Sequence, residues 1–342
     1  MSGNTYLIDR LSRHQIFIQR FAGQQVKESL PILKQMAKEI RAALQRQDLT
    51  DFQTARLIAL QIDIMAITSA AGVELKELMT ANMSEFAVYE AGFTQKLLQG
   101  AVTVDLAGVS SVALGAAVTS APMKLISGQK TINTTFSGIF DTFASGVSRE
   151  VMTTVQAGIT AGATNAEITR NVMSLVNTRT RAQAETVVRT AASAAGSVAR
   201  AEVYKANADV LKGEEWVATL DSATRIEHAA LDGRIFPIGE GPQTPLGYNC
   251  RCLRVAVVDD RFAALREGAT RASYQGPVAA TRTYGGWLRD QPESFQLEFF
   301  GGDNERFELF RSGGIPLSKF ADDSGRLYTM AELRAREGLT LE

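Results

Sequence analysis

Apolar residues recur at helical spacing through nearly all of the first hundred positions, and this confines the amino-terminal part of the chain to long amphipathic helices. His14, Phe17, Ile18 and Phe21 share one face, and Leu30, Leu33, Met36 and Ile40 extend it. Leu57, Leu60 and Ile64, then Leu75, Leu78 and Met79, repeat the period. Asp48-Leu-Thr-Asp51 reads as a break between helices, with Thr50 or Asp51 as the cap. A stripe of this kind must be covered. In a neutral, aromatic-poor region the default cover is another helix of the same bundle. Residues 1–99 are therefore expected to form a helical region.

The texture changes at Gly100. From there to Gln129 charges nearly vanish, and Val, Thr, Ser, Ala and Gly dominate. Gly and β-branched residues weaken a helix, so 100–130 is expected to be an irregular or partly extended arm packed against something. Within it, Leu106 to Met123 is uncharged but small-residue-rich and contains Pro122. A membrane span normally takes about 20 strongly apolar residues, so a buried segment is the reading for it. Helical texture returns over 131–212. Phe136, Phe140, Phe143, Val147, Val151 and Val155 mark one helix, and Thr164-Asn-Ala-Glu167 is a capping box. Helices at about Ala166 to Leu175 and Thr180 to Asn207 follow, the last with a run of small side chains from Thr190 to Ala201. Arg179, Arg181, Arg189 and Arg200, interspersed with Glu185 and Glu202, read as a solvated helix face.

Strand-like patterning begins at Gly213. Trp216-Val-Ala-Thr-Leu220, Arg234-Ile-Phe-Pro237 and Leu253 to Val258 are strand candidates around a short helix. The expected fold is mainly α with a small α+β module: an N-terminal helical region, central helices, a compact strand–helix–strand module near 214–258 (213–260 at its widest) and a docked tail. Residues 261–283 read as a linker. The tail, 284–342, is rich in Phe and so is expected to dock, with Thr329 as an N-cap.

Composition narrows the chemistry. The 342 residues carry 36 Lys and Arg against 37 Asp and Glu, a formal net charge of −1. Duplex-DNA binders rely on excess cationic charge to release counterions, and no global excess exists here. Two cysteines and two histidines exclude an iron–sulfur protein, a disulfide scaffold or a multi-site zinc protein as the main design. No phosphate-binding loop, dinucleotide fingerprint or His-Glu-x-x-His occurs. The start of the chain lacks the features of a secretory signal, so synthesis in a cytoplasm is expected.

Both cysteines and one histidine nevertheless fall in one short window, beside Asp221. Zinc takes four N, S or O donors in a tetrahedron, and Asp221, His228, Cys250 and Cys252 supply such a set. A metal would also explain how so small a module holds its shape. The alternative is that Asp221 caps the helix and pairs with Arg225, while His228 and the cysteines are ordinary packed side chains. A thiol-based active site has the right residue types but no surrounding nucleophile motif, and no enzyme activity is expected.

At this module the chain resembles the phage Mu F-like minor head proteins, also called head morphogenesis proteins of tailed bacteriophages. The resemblance is carried by Arg189-Thr-Ala191, Tyr204-Lys-Ala-Asn207, Trp216-Val-Ala-Thr-Leu-Asp221-Ser-Ala-Thr-Arg225, His228, Leu231-Asp-Gly233, and Pro245 through Asn249-Cys-Arg-Cys252. In the tail it is carried by Trp287-Leu-Arg-Asp-Gln291-Pro, Leu309-Phe-Arg-Ser-Gly313 and Gly325-Arg-Leu-Tyr-Thr-Met-Ala-Glu-Leu333. It spans about Phe136 to Arg334. In that family the position of His228 is commonly His or Cys, which favours zinc as the cofactor. Many members also carry a His shortly before Asn-Cys-Arg-Cys, where this chain has Gly247, so the site here must use Asp221 or do without.

The resemblance implies a minor virion protein inside the head near the portal vertex, acting in head morphogenesis. Its expected partners are the portal, scaffold or other capsid proteins, with multiple copies in a ring. Packaged DNA lies nearby without sequence-specific binding. The alternative is an internal ejection protein that leaves with the genome and helps form a conduit through the host envelope; only this alternative involves membrane contact.

Overall fold

The computed structural model describes residues 3–47, 54–127, 130–264, 270–312 and 314–339. The apolar periodicity becomes two long helices, α1 (Gly3–Gln45) and α2 (Thr54–Gln99). The expected break at Asp48 to Asp51 lies outside the described residues. The two helices pack on each other, and both pack on the central helices. Leu11, Ile18, Met36 and Ile40 of α1 and Leu60, Ile64, Leu75 and Met79 of α2 are buried in the helical core.

The 100–130 stretch is more regular than its composition suggests. Ser111–Ser120 forms helix α3, and Pro122–Ser127 (β1) pairs antiparallel with Lys130–Thr135 (β2). Helix α3 lies against α2 and the central helices, burying Leu114 and Val118. Packing supplies what intrinsic propensity withholds, as is usual for short helices in proteins. Among the described residues of this stretch, the irregular part lies before Ser111, apart from Ala121.

The central helices are α4 (Phe136–Thr160), α5 (Asn165–Leu175) and α6 (Arg181–Ala206), with a π-helical turn at Val176–Thr180 leading into α6. The α5 capping box forms as read from sequence: the Thr164 hydroxyl accepts from the Glu167 N–H, and the Glu167 carboxylate accepts from the Thr164 N–H at 2.8 Å. Gly72 of α2 marks a close crossing with α4, because a Cβ built there would lie 2.7 Å from the Ala144 Cβ. Helix α6 buries Ala184, Ala191, Ala192, Ala195 and Ala199, so the Ala-rich run is what lets neighbours approach.

The module consists of β3 (Leu211–Val217), α7 (Ile226–Ala230), β4 (Ile235–Phe236) and β5 (Leu253–Val258), in an antiparallel sheet of order β4-β3-β5. Trp216 sits opposite Arg254 and Glu215 opposite Ile235. The stretch expected to be a linker contains a hairpin, β6 (Thr270–Ser273) and β7 (Gly276–Ala279). The tail folds into α8 (Tyr284–Arg289), α9 (Glu293–Phe299), α10 (Asn304–Arg311) and α11 (Met330–Glu337). Thr329 caps α11.

Two apolar cores result. One runs through the helices and takes in Leu211, Val217, Val255 and Val258 of the sheet. The other joins the module to the tail: Trp216, Leu231, Leu246, Cys250 and Cys252 pack with Tyr284, Trp287, Phe300, Phe310, Phe320 and Leu333. The chain is thus mainly helical with small antiparallel sheets, and the Phe-rich tail closes over the module.

Candidate metal centre

The loop entering the Cys-Arg-Cys segment is held by α6. Asn249 adopts a left-handed backbone, φ 58°, a conformation Asn tolerates better than most residues. Its N–H donates to the Thr190 hydroxyl at 3.1 Å, and the Ser193 hydroxyl donates to the Cys250 carbonyl at 3.0 Å. From the other side α7 presents His228, whose carbonyl accepts from the Trp216 indole N–H at 3.0 Å. The indole and imidazole rings meet edge to face, 6.1 Å apart. These contacts bring three side chains together that are separated by 22 and 24 positions.

His228 Nδ1 lies 3.5 Å from both Cys250 Sγ and Cys252 Sγ. All three residues are buried, and their donor atoms lie within 4.8 Å of one another. A zinc tetrahedron with Zn–N of about 2.0–2.1 Å and Zn–S of about 2.3 Å has an N···S edge of roughly 3.5–3.6 Å. Both N···S separations therefore suit a shared ion. The two thiols are unequal. Burial pushes Cys250 up, but its hydrogen bond with Cys252 and the charge of His228 outweigh burial and hold it well below the usual thiol range. Burial and the neighbouring Cys250 push Cys252 well above that range. Metal-ligating thiols bind deprotonated, so a soft cation bound here would release protons from this pair. His228 Nε2 is buried without a hydrogen-bond partner.

Asp221 is not brought to this group, although sequence reasoning included it. Arg251 grips its carboxylate with two guanidinium nitrogens, one of them at 2.9 Å. The Ala223 N–H donates to it at 3.0 Å. Asp221 therefore neither caps α7, whose N-cap residue is Arg225, nor pairs with Arg225, which instead donates to the Tyr248 carbonyl at 2.8 Å. Among the described residues no fourth His, Cys, Asp or Glu joins the three. Gly247 contributes space instead of a donor: a Cβ there would lie 2.5 Å from Arg225 Nη1 and 2.9 Å from the Ile126 carbonyl oxygen.

The carboxylate that organises the module is Asp232, to which sequence reasoning gave no role of its own. It is buried and accepts from the Ala218 N–H at 2.7 Å, the Tyr284 N–H at 2.7 Å and Arg271 Nη1 at 2.9 Å. It thereby ties β3, the β6–β7 hairpin and α8 to one point. The Asp-Gly step before β4 was the available signal, since Gly233 takes φ 82° there.

Residues 149–255 match the family model described as Phage Mu protein F like protein. Over that span the chain is similar to the phage Mu F-like head morphogenesis proteins. The span runs from α4 into β5 and contains His228, Cys250 and Cys252, so the Mu F-like region and the candidate metal centre coincide. No curated protein and no solved structure matches the chain.

Proposed function

We propose that this Mu F-like chain is a non-enzymatic minor component of a tailed-phage virion that acts in head assembly around the portal vertex, with a zinc ion clamping its module. The observation that carries this reading is the overlap of the Mu F-like span with a buried His/Cys/Cys group inside a module fastened to both α6 and the tail. Such a knob is built to keep its shape while presenting surface. A separate docking surface lies outside the module on α2, whose first turns leave Ile58, Ile62 and Met65 at 53%, 61% and 53% exposure. An apolar stripe of this kind suits docking onto the portal, scaffold proteins or further copies of the chain. On a ring of identical subunits, weak repeated contacts gain from high effective concentration. The decisive experiment locates the tagged chain in intact and emptied particles by cryo-electron microscopy and counts it against the portal. A fixed number of copies at one vertex, retained after emptying, is expected; dispersal over the shell overturns the reading.

A second reading rests on the same helix. Thr54–Gln99 is long and apolar enough to cross a membrane by length and composition, with 28% of its most apolar window buried. That favours α2, and not the 106–123 stretch singled out from sequence, as the segment an ejection protein would insert. Loss of the chain from emptied particles, together with leakage of liposomes on adding the purified protein, would establish this reading in place of the first.

A further inference from the structure

His228, Cys250 and Cys252 line one cleft of about 470 Å³, walled by Glu185, Thr186 and Arg189 of α6, by Thr224 and Arg225, and by the Tyr248 to Arg251 loop. Two of its three guanidinium groups are already matched. Arg189 pairs with Glu185 at 2.8 Å, and Arg251 is taken by Asp221. Arg225 is different. Its one hydrogen bond goes to the neutral Tyr248 carbonyl, and no carboxylate pairs with it among the described residues. Its guanidinium occupies the space over Gly247 that a side chain would fill. The cleft thus combines three donors, with no fourth His, Cys, Asp or Glu beside them among the described residues, and one fork of N–H donors that no carboxylate there neutralises.

Protein zinc sites with three protein ligands keep the fourth position for an exogenous group. A carboxylate would suit both groups, one oxygen serving as a further donor to a bound ion and the other accepting from a planar guanidinium, whose geometry matches it. Resting on the zinc reading above, we infer that this cleft binds a carboxylate as the fourth ligand of the metal, with Arg225 as the positioning residue that holds its second oxygen. The carboxylate comes either from an acidic peptide side chain or from a free small acid, and the two are separable by experiment.

The test uses the full-length chain loaded with Co(II), whose ligand-field absorption reports its fourth ligand. Acetate, a Glu-containing peptide, acetamide and inorganic phosphate are titrated in turn. Acetate and the peptide shift the spectrum saturably, and acetamide does not. Tighter binding of the peptide than of acetate identifies an acidic protein segment as the source, and the reverse order identifies a free acid. Arg225→Gln keeps one metal per chain but weakens carboxylate binding about tenfold or more, the loss expected for one charge-assisted hydrogen bond; Arg225→Lys recovers part of it. A chain that takes up one Co(II) but ignores carboxylates overturns this inference and leaves the zinc reading standing. Equal response to phosphate overturns the choice of carboxylate. A chain that takes up no metal overturns both.

Discussion

Cys250 and Cys252 sit two positions apart and His228 lies 22 positions before the first, yet Nδ1 and the two sulfur atoms meet at 3.5 Å. The purified chain is expected to carry one zinc by elemental analysis. Where free zinc exceeds its dissociation constant a thousandfold, binding adds about 4 kcal/mol to stability. Cys252→Ser should forfeit that increment, read as a lower melting temperature that added zinc does not restore. Asp221→Asn should leave the metal content unchanged, since its carboxylate is committed to Arg251. The three soft donors were legible from sequence because Cys and His are so rare here that their clustering stands out. The error over Asp221 has a physical source. A carboxylate close in sequence to a candidate ligand is counted as available, but Arg251, lying between the two cysteines, points at Asp221 and neutralises it.

Among the helices, charge placement was the least legible property. Arg200 was read as part of a solvated face, but it is buried and donates to Glu90 at 3.1 Å, with His14 on the same carboxylate. Glu90 lies 110 positions earlier, beyond any local rule, and the pair joins α2 to α6 with α1 closing the third side. Arg200→Ala should cost about 3–5 kcal/mol by stranding a buried carboxylate, measured by denaturant unfolding. Double replacement of Glu90 and Arg200 by apolar residues should recover much of the loss. The α11 cap behaves differently, being exposed. The Arg326 side chain, then the Thr329 backbone N–H, lower the Glu332 pKa from 4.5 to about 2. A depressed carboxylate stabilises the fold above its unfolded pKa, and this contribution is lost as pH falls through the folded value. The docking of α11 should therefore weaken between about pH 4.5 and pH 2. Glu332→Gln should remove that dependence, as followed by hydrogen exchange of the tail amides. The Thr329 N-cap was readable in advance because it acts on a residue only three positions further on.

Across the whole chain, the second core is shared between module and tail. Trp216 and both cysteines pack with aromatic side chains from beyond position 283, and Asp232 bonds the Tyr284 N–H. A chain ending at 264 should therefore leave the module's apolar surface exposed. It should aggregate or lose the fixed indole environment, detectable by Trp216 fluorescence and near-ultraviolet circular dichroism. Ile62→Asp, on the exposed face of α2, should leave stability nearly unchanged and reduce incorporation of the chain into particles. An unchanged copy number would remove α2 from the docking surface.

Helix periods, capping boxes, strand runs and the grouping of rare soft ligands are local patterns, and each was readable along the chain because neighbours within a few positions enforce it. Contacts across long separations were not. The helix at Ser111–Ser120 exists through burial against α2 and α6, which composition does not encode. The choice of Arg251 for Asp221, of Glu90 for Arg200 and of the tail for Trp216 depended on which distant groups the packed helices brought within reach.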